Sequence, residues 1–393
     1  MNTSFFDNHL AQTTLHPLNL EIERAEGIYI IDKQGRKYID MVAGIAVSNA
    51  GHSHPRIVQA VKNQVEKYMH VMVYGEFHQE APKKLASLLT KHLPSQLNTC
   101  YFVNSGTEAN EAALKLAKRL TGRTRIVSCK ASYHGSTHGS LSVSGNEMKK
   151  FAFRPLLPDI HFMRFNAAED LNMIDSDTAA VIVETIQGDA GVRIPDLSWM
   201  QQLRKKCTDT GAQLILDEIQ CGMGRAGTIF AFEQFGISPD ILTLGKALGG
   251  GMPIGAFISS REKMMALCSH PPLGHITTFG GHPVPAAAGA AAFEMLMEEG
   301  HYANAAKKGF LLSELLRVHP KVKEIRYRGL MFAIDMGDAH LVQRVVEYCL
   351  KKGLISFWFL SCPDSFRLAP PLTISEEEVR TAASIILEAF DAA

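Results

Sequence analysis

Leu214-Ile-Leu-Asp-Glu-Ile-Gln220 and Ile241-Leu-Thr-Leu-Gly-Lys-Ala-Leu-Gly-Gly-Gly251 each open on a short apolar run that gives way to polar or glycine-rich sequence. A run of this length, bounded by turn residues, reads as a strand buried on both faces. The pattern recurs, so that the candidate strands are Cys100–Val103, Arg125–Ser128, Ala179–Glu184, Leu214–Ile219, Ile241–Leu244 and Ile254–Ser259. Helical patterns such as Glu108–Leu120 and Ser198–Thr210 fill most of the gaps. Strand alternating with helix predicts an α/β fold around a largely parallel sheet covered on both faces. Ligands of such sheets gather beyond the carboxyl ends of the strands.

The flanks differ. Ile28–Ile31, a turn at Asp32–Gly35 and Lys37–Ile39 predict a hairpin, and Ile57, Val61, Val65 and Tyr68 follow at near-helical spacing. Beyond about residue 300 come helices, a strand region over 321–335 and a final helix from Ser375. A chain of 393 residues is long for one core. We therefore expect an N-terminal segment (1–50) that joins a smaller α+β domain (291–393), with a large ligand-binding domain (51–290) between them.

Lys plus Arg equals Asp plus Glu at 40 each, so no basic excess points to nucleic acid and no charge block to a membrane surface. The first ten residues lack the basic start and apolar core of a signal peptide. The longest apolar stretch, 283–297, is interrupted by Glu294 and reads as a packed helix, not a span. Seven cysteines, an odd number without a CxxC pair, suit a reducing compartment, and the cytosol is the expectation.

Lys246 follows Asp217 by 29 positions (246 − 217), and both stand at the end of an apolar run. A lysine amine can form a Schiff base with an aldehyde, while a buried carboxylate keeps a ring nitrogen protonated. The pair suggests pyridoxal phosphate as cofactor; a carboxylate capping the next segment is the plainer alternative for Asp217. Asn104-Ser-Gly-Thr-Glu-Ala-Asn110 opens a helix after a strand, where Ser105, Gly106 and Thr107 suit either a phosphate seat or an ordinary cap. Tyr133, before His134 and Gly135, suits a ring stacked on a cofactor or a simple core aromatic. Gln220 is placed to reach a ring hydroxyl. His275-Ile-Thr-Thr-Phe-Gly-Gly281, with Thr277 and Thr278, offers further hydroxyls. Arg367, before Pro370-Pro371, suits a substrate carboxylate or the solvent. His134 and His138 are four apart without the glutamate of an HExxH site, so no metal is expected. Gly222-Met-Gly-Arg-Ala-Gly227 satisfies GxGxxG, but it lies deep in the chain with Asp217–Gln220 between strand and glycines. A nicotinamide oxidoreductase is therefore only a distant reading.

Together these segments resemble the class III pyridoxal-phosphate aminotransferases of the acetylornithine, ornithine and 4-aminobutyrate group. The resemblance runs from Gly27-Ile-Tyr-Ile-Ile-Asp32 through Gly51-His-Ser-His-Pro55, Asn104–Ala113, Glu184-Thr-Ile-Gln-Gly-Asp-Ala-Gly191, Leu216–Gln220, Lys246 and Thr278-Phe-Gly-Gly281 to Arg367-Leu-Ala-Pro-Pro371. It implies fold type I: a mostly parallel seven-stranded sheet, a small domain built from both termini, and a homodimer with shared active sites. It further implies that Lys246 carries the cofactor, Asp217 pairs with the ring nitrogen and Gln220 meets the ring hydroxyl. Tyr133 would stack on the ring, Gly106 and Thr107 would seat the phosphate, and Glu184 would join the polar network. Thr278, with Thr277 beside it, would reach in from the other subunit.

Three positions depart from the group's pattern: Ser136 where many relatives have a carboxylate-gripping Arg, Asp189 for a longer Glu that gates the counterpart of Arg367, and His282 for Asn. Ser136, Asp189, Thr277 and Arg367 are thus the residues expected to read the substrate. The expected reaction moves an amino group from an ω-amino donor of acetylornithine or ornithine type to a 2-oxo acid, 2-oxoglutarate, by a ping-pong Schiff-base route. Transamination of 4-aminobutyrate or another amine, or a pyridoxal-phosphate aminomutase, are the alternatives within the fold.

Overall fold

Three sheets organise the chain in a computed structural model that describes residues 9–14 and 17–393; residues 1–8, which carry most of the signal-peptide argument, lie outside the described residues. The strands are β1 (Ile22–Glu26), β2 (Tyr29–Asp32), β3 (Lys37–Asp40), β4 (Thr99–Val103), β5 (Arg125–Cys129), β6 (Ile160–Met163), β7 (Thr178–Glu184), β8 (Gln213–Asp217), β9 (Ile241–Leu244) and β10 (Gly255–Ser259), followed by β11 (Glu324–Arg328), β12 (Met331–Asp335), β13 (Leu354–Ile355), β14 (Phe357–Trp358) and β15 (Ser365–Leu368). Seven of them form the central sheet in the order β4-β10-β9-β8-β7-β5-β6. Only β10 runs against its neighbours, β4 and β9; the other pairs are parallel.

Burial on both faces explains why these strands read as unbroken apolar runs. Ala180, Ile182 and Ile215 contribute to one core, under the helix Gly106–Thr121. Val181, Val183, Leu214 and Leu216 belong to the other. The alternation within each strand is the pleat dividing its side chains between two cores. The helix Pro283–Glu299 packs on the helices Pro55–Lys67 and Glu80–Lys91, and most of its circumference is buried. A division of the chain at residue 290 falls inside this helix.

The ends of the chain meet. β11, β12, β15 and β14 make a second, antiparallel sheet, while β13 pairs in parallel with β3 and so bonds a C-terminal segment to the N-terminal meander β1-β2-β3. β8 stops at Asp217, two residues before the expected end, because the chain turns there and the Ile219 N–H donates to Asp217 Oδ1 (3.0 Å). β1 and β6 are edge strands that the apolar pattern does not reveal, β1 because it is charged and mostly exposed, β6 because it is a four-residue run interrupted by exposed His161. Among the described residues, no helix is long and apolar enough to cross a membrane.

Candidate active site

β4, β5, β7, β8 and β9 all run the same way, so their carboxyl ends share one edge of the sheet. There they surround a cavity of about 250 Å³, walled by Gly106, Thr107, Tyr133, Gly135, Ser136, Glu184, Asp217, Gln220 and Lys246 among others. Residues up to 140 positions apart in the chain are thus gathered by parallel strand order alone.

Lys246 leaves β9 through the extended Gly245 and takes a left-handed conformation (φ 47°). That geometry is uncommon for a residue with a Cβ and stands out at the centre of a cavity. Burial lowers the pKa of its amine; the charges of Asp217 and Glu184 oppose this and that of Arg367 adds to it. Asp217, 4% exposed, is gripped from behind. Its Oδ2 accepts from Asn110 Nδ2 (2.8 Å) and bonds His134 Nδ1 (2.8 Å). Asn110 also donates to the His134 carbonyl (2.7 Å) and accepts from Thr243 Oγ1 (2.8 Å), so a helix, the loop after β5 and β9 together brace one carboxylate. Burial raises the Glu184 carboxyl to about 7; its oxygens accept from the N–H groups of Tyr133 (2.9 Å) and Gly188 (2.8 Å).

The opening turn of the helix Gly106–Thr121 faces the same space. Ser105 itself is not in the cavity wall; its Oγ caps the helix by accepting from Glu108 N (3.3 Å), the plainer of its two expected roles. Gly106 and Thr107 carry first-turn N–H groups with no acceptor one turn back. Thr107 Oγ1 bonds Ser140 Oγ (2.5 Å) and Thr137 Oγ1 (2.8 Å). Gly135 approaches so closely, at φ +133°, that a Cβ there would lie 2.2 Å from Thr107 Oγ1. An N–H-rich helix start, a desolvated amine and a braced carboxylate around one cavity fit a phosphorylated pyridine aldehyde.

Tyr133 is partly exposed, with its hydroxyl 3.3 Å from Ser136 Oγ and Lys149 Nζ 5.3 Å from its ring centre. Asp189 pairs with Lys149 Nζ (2.6 Å) and accepts from Ser361 Oγ (2.6 Å). Burial works against its ionisation, but those bonds prevail and hold its pKa below the usual carboxylate value. Arg367 lies on β15, buried, with its guanidinium 4.7 Å from the Phe359 ring centre. It is not in the cavity wall, yet its charge acts on Lys246 and Asp189. Thr277 and Thr278 are not brought to this cavity. Thr277 lines a separate one with Tyr101 and Phe102, and the Thr278 carbonyl bonds His70 Nε2 (3.1 Å).

Asn110, His134 and Lys149 are functional candidates that sequence reasoning passed over. Asn110 offers a signal, a polar residue among Ala109, Ala112 and Ala113 on the buried face of its helix. In sequence His134 stands out only as a metal-ligand candidate, whereas in the structure its Nδ1 bonds Asp217; among the described residues no cluster of His, Cys, Asp or Glu is arranged to hold a metal. Gly222–Gly227 is no nucleotide loop here. Its Arg225 is fully buried and bonds backbone carbonyls of Leu330 (2.9 Å) and Pro370 (2.5 Å).

This fold and site define a class. Residues 10–390 match the family Aminotransferase class-III, and the chain belongs to it. It is thus a fold type I, pyridoxal-phosphate-dependent transaminase that acts on a small amino donor and an oxo acid. The chain is 41% identical to the acetylornithine aminotransferase of Methanopyrus kandleri, over 93% of each chain. It is 36% identical to that of Bacillus subtilis, over 95% of each. Its structure is similar to the ornithine aminotransferase of Toxoplasma gondii (TM-score 0.91, 28% identity, 98% of this chain and 93% of that one). It is also similar to a transaminase from the marine bacterium Virgibacillus (TM-score 0.90, 25% identity, 98% and 97%).

Proposed function

We propose that the chain transfers the ω-amino group of acetylornithine, or of a donor built like it, to 2-oxoglutarate. The observation that carries this reading is the desolvated Lys246 amine sharing one cavity with the braced Asp217 carboxylate; the likeness to acetylornithine aminotransferases supports the donor. When bound, pyridoxal phosphate supplies a carbonyl carbon for the amine and a ring that accepts electrons.

The protein's own groups do the rest. Lys246 Nζ would hold the cofactor's carbonyl carbon, and its lowered pKa suits it to move a proton at the donor's amine-bearing carbon. Asp217 would keep the ring nitrogen protonated, with Asn110 and His134 as positioning residues. Gln220 would meet the ring hydroxyl and Tyr133 would cover the ring, while Glu184 orders the Tyr133 and Gly188 backbone. Gly106 and Thr107 would hold the phosphate, and Ser105 fixes the turn that presents them. Substrate is read by Ser136, Asp189 and Arg367, with Arg367 taking a carboxylate. Donor and acceptor use the site in turn, a ping-pong cycle.

In the same reading the chain acts as a cytosolic homodimer, with Thr277 and Thr278 reaching the partner's site. Support for the dimer comes from exposed apolar side chains near that loop, Met69, Met72, Phe77, Ile276 and Phe279; support for the cytosol comes from the seven free cysteines. Residues 51–290 then form the cofactor-binding domain, with 1–50 and 291–393 as the smaller one.

An absorbance spectrum of the holoprotein tests the central claim. Visible absorbance should be bleached by acetylornithine without acceptor and restored by 2-oxoglutarate. Lys246→Ala should lose amino transfer by at least about 10³-fold. A protein that stays colourless with added pyridoxal phosphate, or a Lys246→Ala variant that still turns over, would sink the assignment.

A further inference from the structure

Arg367 and Asp189 attract each other across the substrate end of the site without pairing. Among the anions acting on Arg367, Asp189 comes first and Glu184 second, yet its guanidinium makes no hydrogen bond or ion pair with any described residue. An ionised group so buried is costly unless an anion meets it. Asp189 is engaged elsewhere. Its Oδ2 is held by Lys149 Nζ and by Ser361 Oγ, each at 2.6 Å, and Ser361 Oγ is itself held by Asn146 Nδ2 (2.9 Å). Both arms of this clamp therefore start from one short segment, 146–149.

We propose that Lys149 sets the substrate specificity of the site by holding Asp189 away from Arg367, which leaves the guanidinium for a substrate carboxylate. The inference rests on the transaminase reading above and deepens it. Asp189 can pair with Lys149 or with Arg367, and Lys149 decides which of the two cations is left without it. An ammonium is a point charge that satisfies one carboxylate oxygen, whereas a guanidinium offers a fork matched to both oxygens of a ligand. The pairing thus reserves the better carboxylate receptor for the substrate. The clamp also stands where charge is otherwise missing: Lys149 lies over the Tyr133 ring, whose hydroxyl reaches the uncharged Ser136. Without Lys149, Asp189 would keep one hydroxyl partner and turn to Arg367, competing with the incoming carboxylate. Lys149 is a positioning residue in this scheme, not a catalytic one.

The test uses the holoenzyme and two readouts. Calorimetry gives the Kd of glutarate, a dicarboxylate with no amine or oxo group, and steady-state kinetics give KM and kcat for 2-oxoglutarate. Lys149→Met should weaken glutarate and raise KM by about tenfold, the effect falling on KM more than on kcat, and Lys149→Arg should restore most of it. Adding Asp189→Asn to Lys149→Met should bring both values back to within about threefold of wild type. A double variant as weak as Lys149→Met would overturn the proposal, because Lys149 would then be touching the carboxylate itself. Asp189→Asn alone decides the matter if Lys149→Met fails to fold. Glutarate affinity should then shift by less than about threefold, and tightening by about tenfold would mean that Asp189 already occupies Arg367. Glutarate binding that follows the expected pattern in a protein that no amino donor bleaches would sink the transaminase reading and leave the clamp standing. Bleaching with no change in glutarate affinity for Lys149→Met would do the reverse.

Discussion

Glu218 follows Asp217 in the chain but points away from the cavity, where its carboxylate accepts from Thr185 Oγ1 (2.9 Å) and the N–H groups of Ala231 and Phe232 (2.7 Å each). Burial is the largest influence on it and raises its pKa from 4.5 to about 7, against those three bonds. A carboxyl whose folded pKa exceeds its unfolded one binds more protons in the folded state. Its contribution to stability is therefore complete below pH 4.5 and is lost as pH rises through 7, by up to about 3 kcal/mol. Glu218→Gln removes the titration. Urea unfolding at pH 5 and pH 8 should show the stability difference between wild type and variant shrinking at the higher pH; a difference independent of pH would refute the raised pKa. The neighbours 217 and 218 illustrate what sequence can convey. An acid at the end of an apolar run is a legible signal, but which of two adjacent acids faces the ligand depends on a turn whose direction is set by partners far along the chain.

Helix starts and strand ends were the most legible parts of the site, because polarity changes abruptly where a buried strand or helix emerges. The helix at Gly106, the end of β8 and the glycines around Lys246 were all placed from that signal within two residues. Gly135, by contrast, carries no such signal, yet it packs tightly against Thr107 at the start of the Gly106 helix. An alanine there would face both a disfavoured φ of 133° and atoms at 2.2 and 2.6 Å, Thr107 Oγ1 and Ser140 Oγ. Gly135→Ala should cost about 2–3 kcal/mol in the apoprotein and weaken retention of pyridoxal phosphate by about tenfold or more, as Thr107 is pushed from the helix start. Thermal melts of the apoprotein and cofactor titration check the two effects separately. Unchanged values in both would show that the loop can retreat. Edge strands behaved differently: β1 and β6 owe their pairing to neighbours already in place rather than to their own apolar content.

Arg225 joins parts of the molecule that no local pattern connects. Its fully buried guanidinium bonds the Leu330 and Pro370 carbonyls and Asn49 Oδ1, a residue 176 positions earlier in the chain. Burial lowers its pKa to about 9, opposed by Asp40. Arg225→Met would leave these acceptors buried without donors, a loss of about 3–5 kcal/mol. Urea midpoints of the apoprotein should fall accordingly, and a loss below about 1 kcal/mol would mean that Arg225 ties nothing together. Read locally, the same residue sits in a GxGxxG match and suggests a nucleotide loop; read in three dimensions, it is a structural bolt between N-terminal, central and C-terminal segments. That contrast divides the whole protein. Strand periodicity, helix starts, the Lys246 and Asp217 pair and the absence of a charge excess are properties of short stretches, so the amino-acid order alone determines them, and with them the α/β class and the cofactor chemistry. The bracing of Asp217 by Asn110 and His134 and the capture of Asp189 by Lys149 and Ser361, which isolates Arg367, join residues from 40 to 172 positions apart. They exist only once parallel strand order has brought those ends together, because a buried charge is satisfied by whatever lies beside it in space, not in sequence.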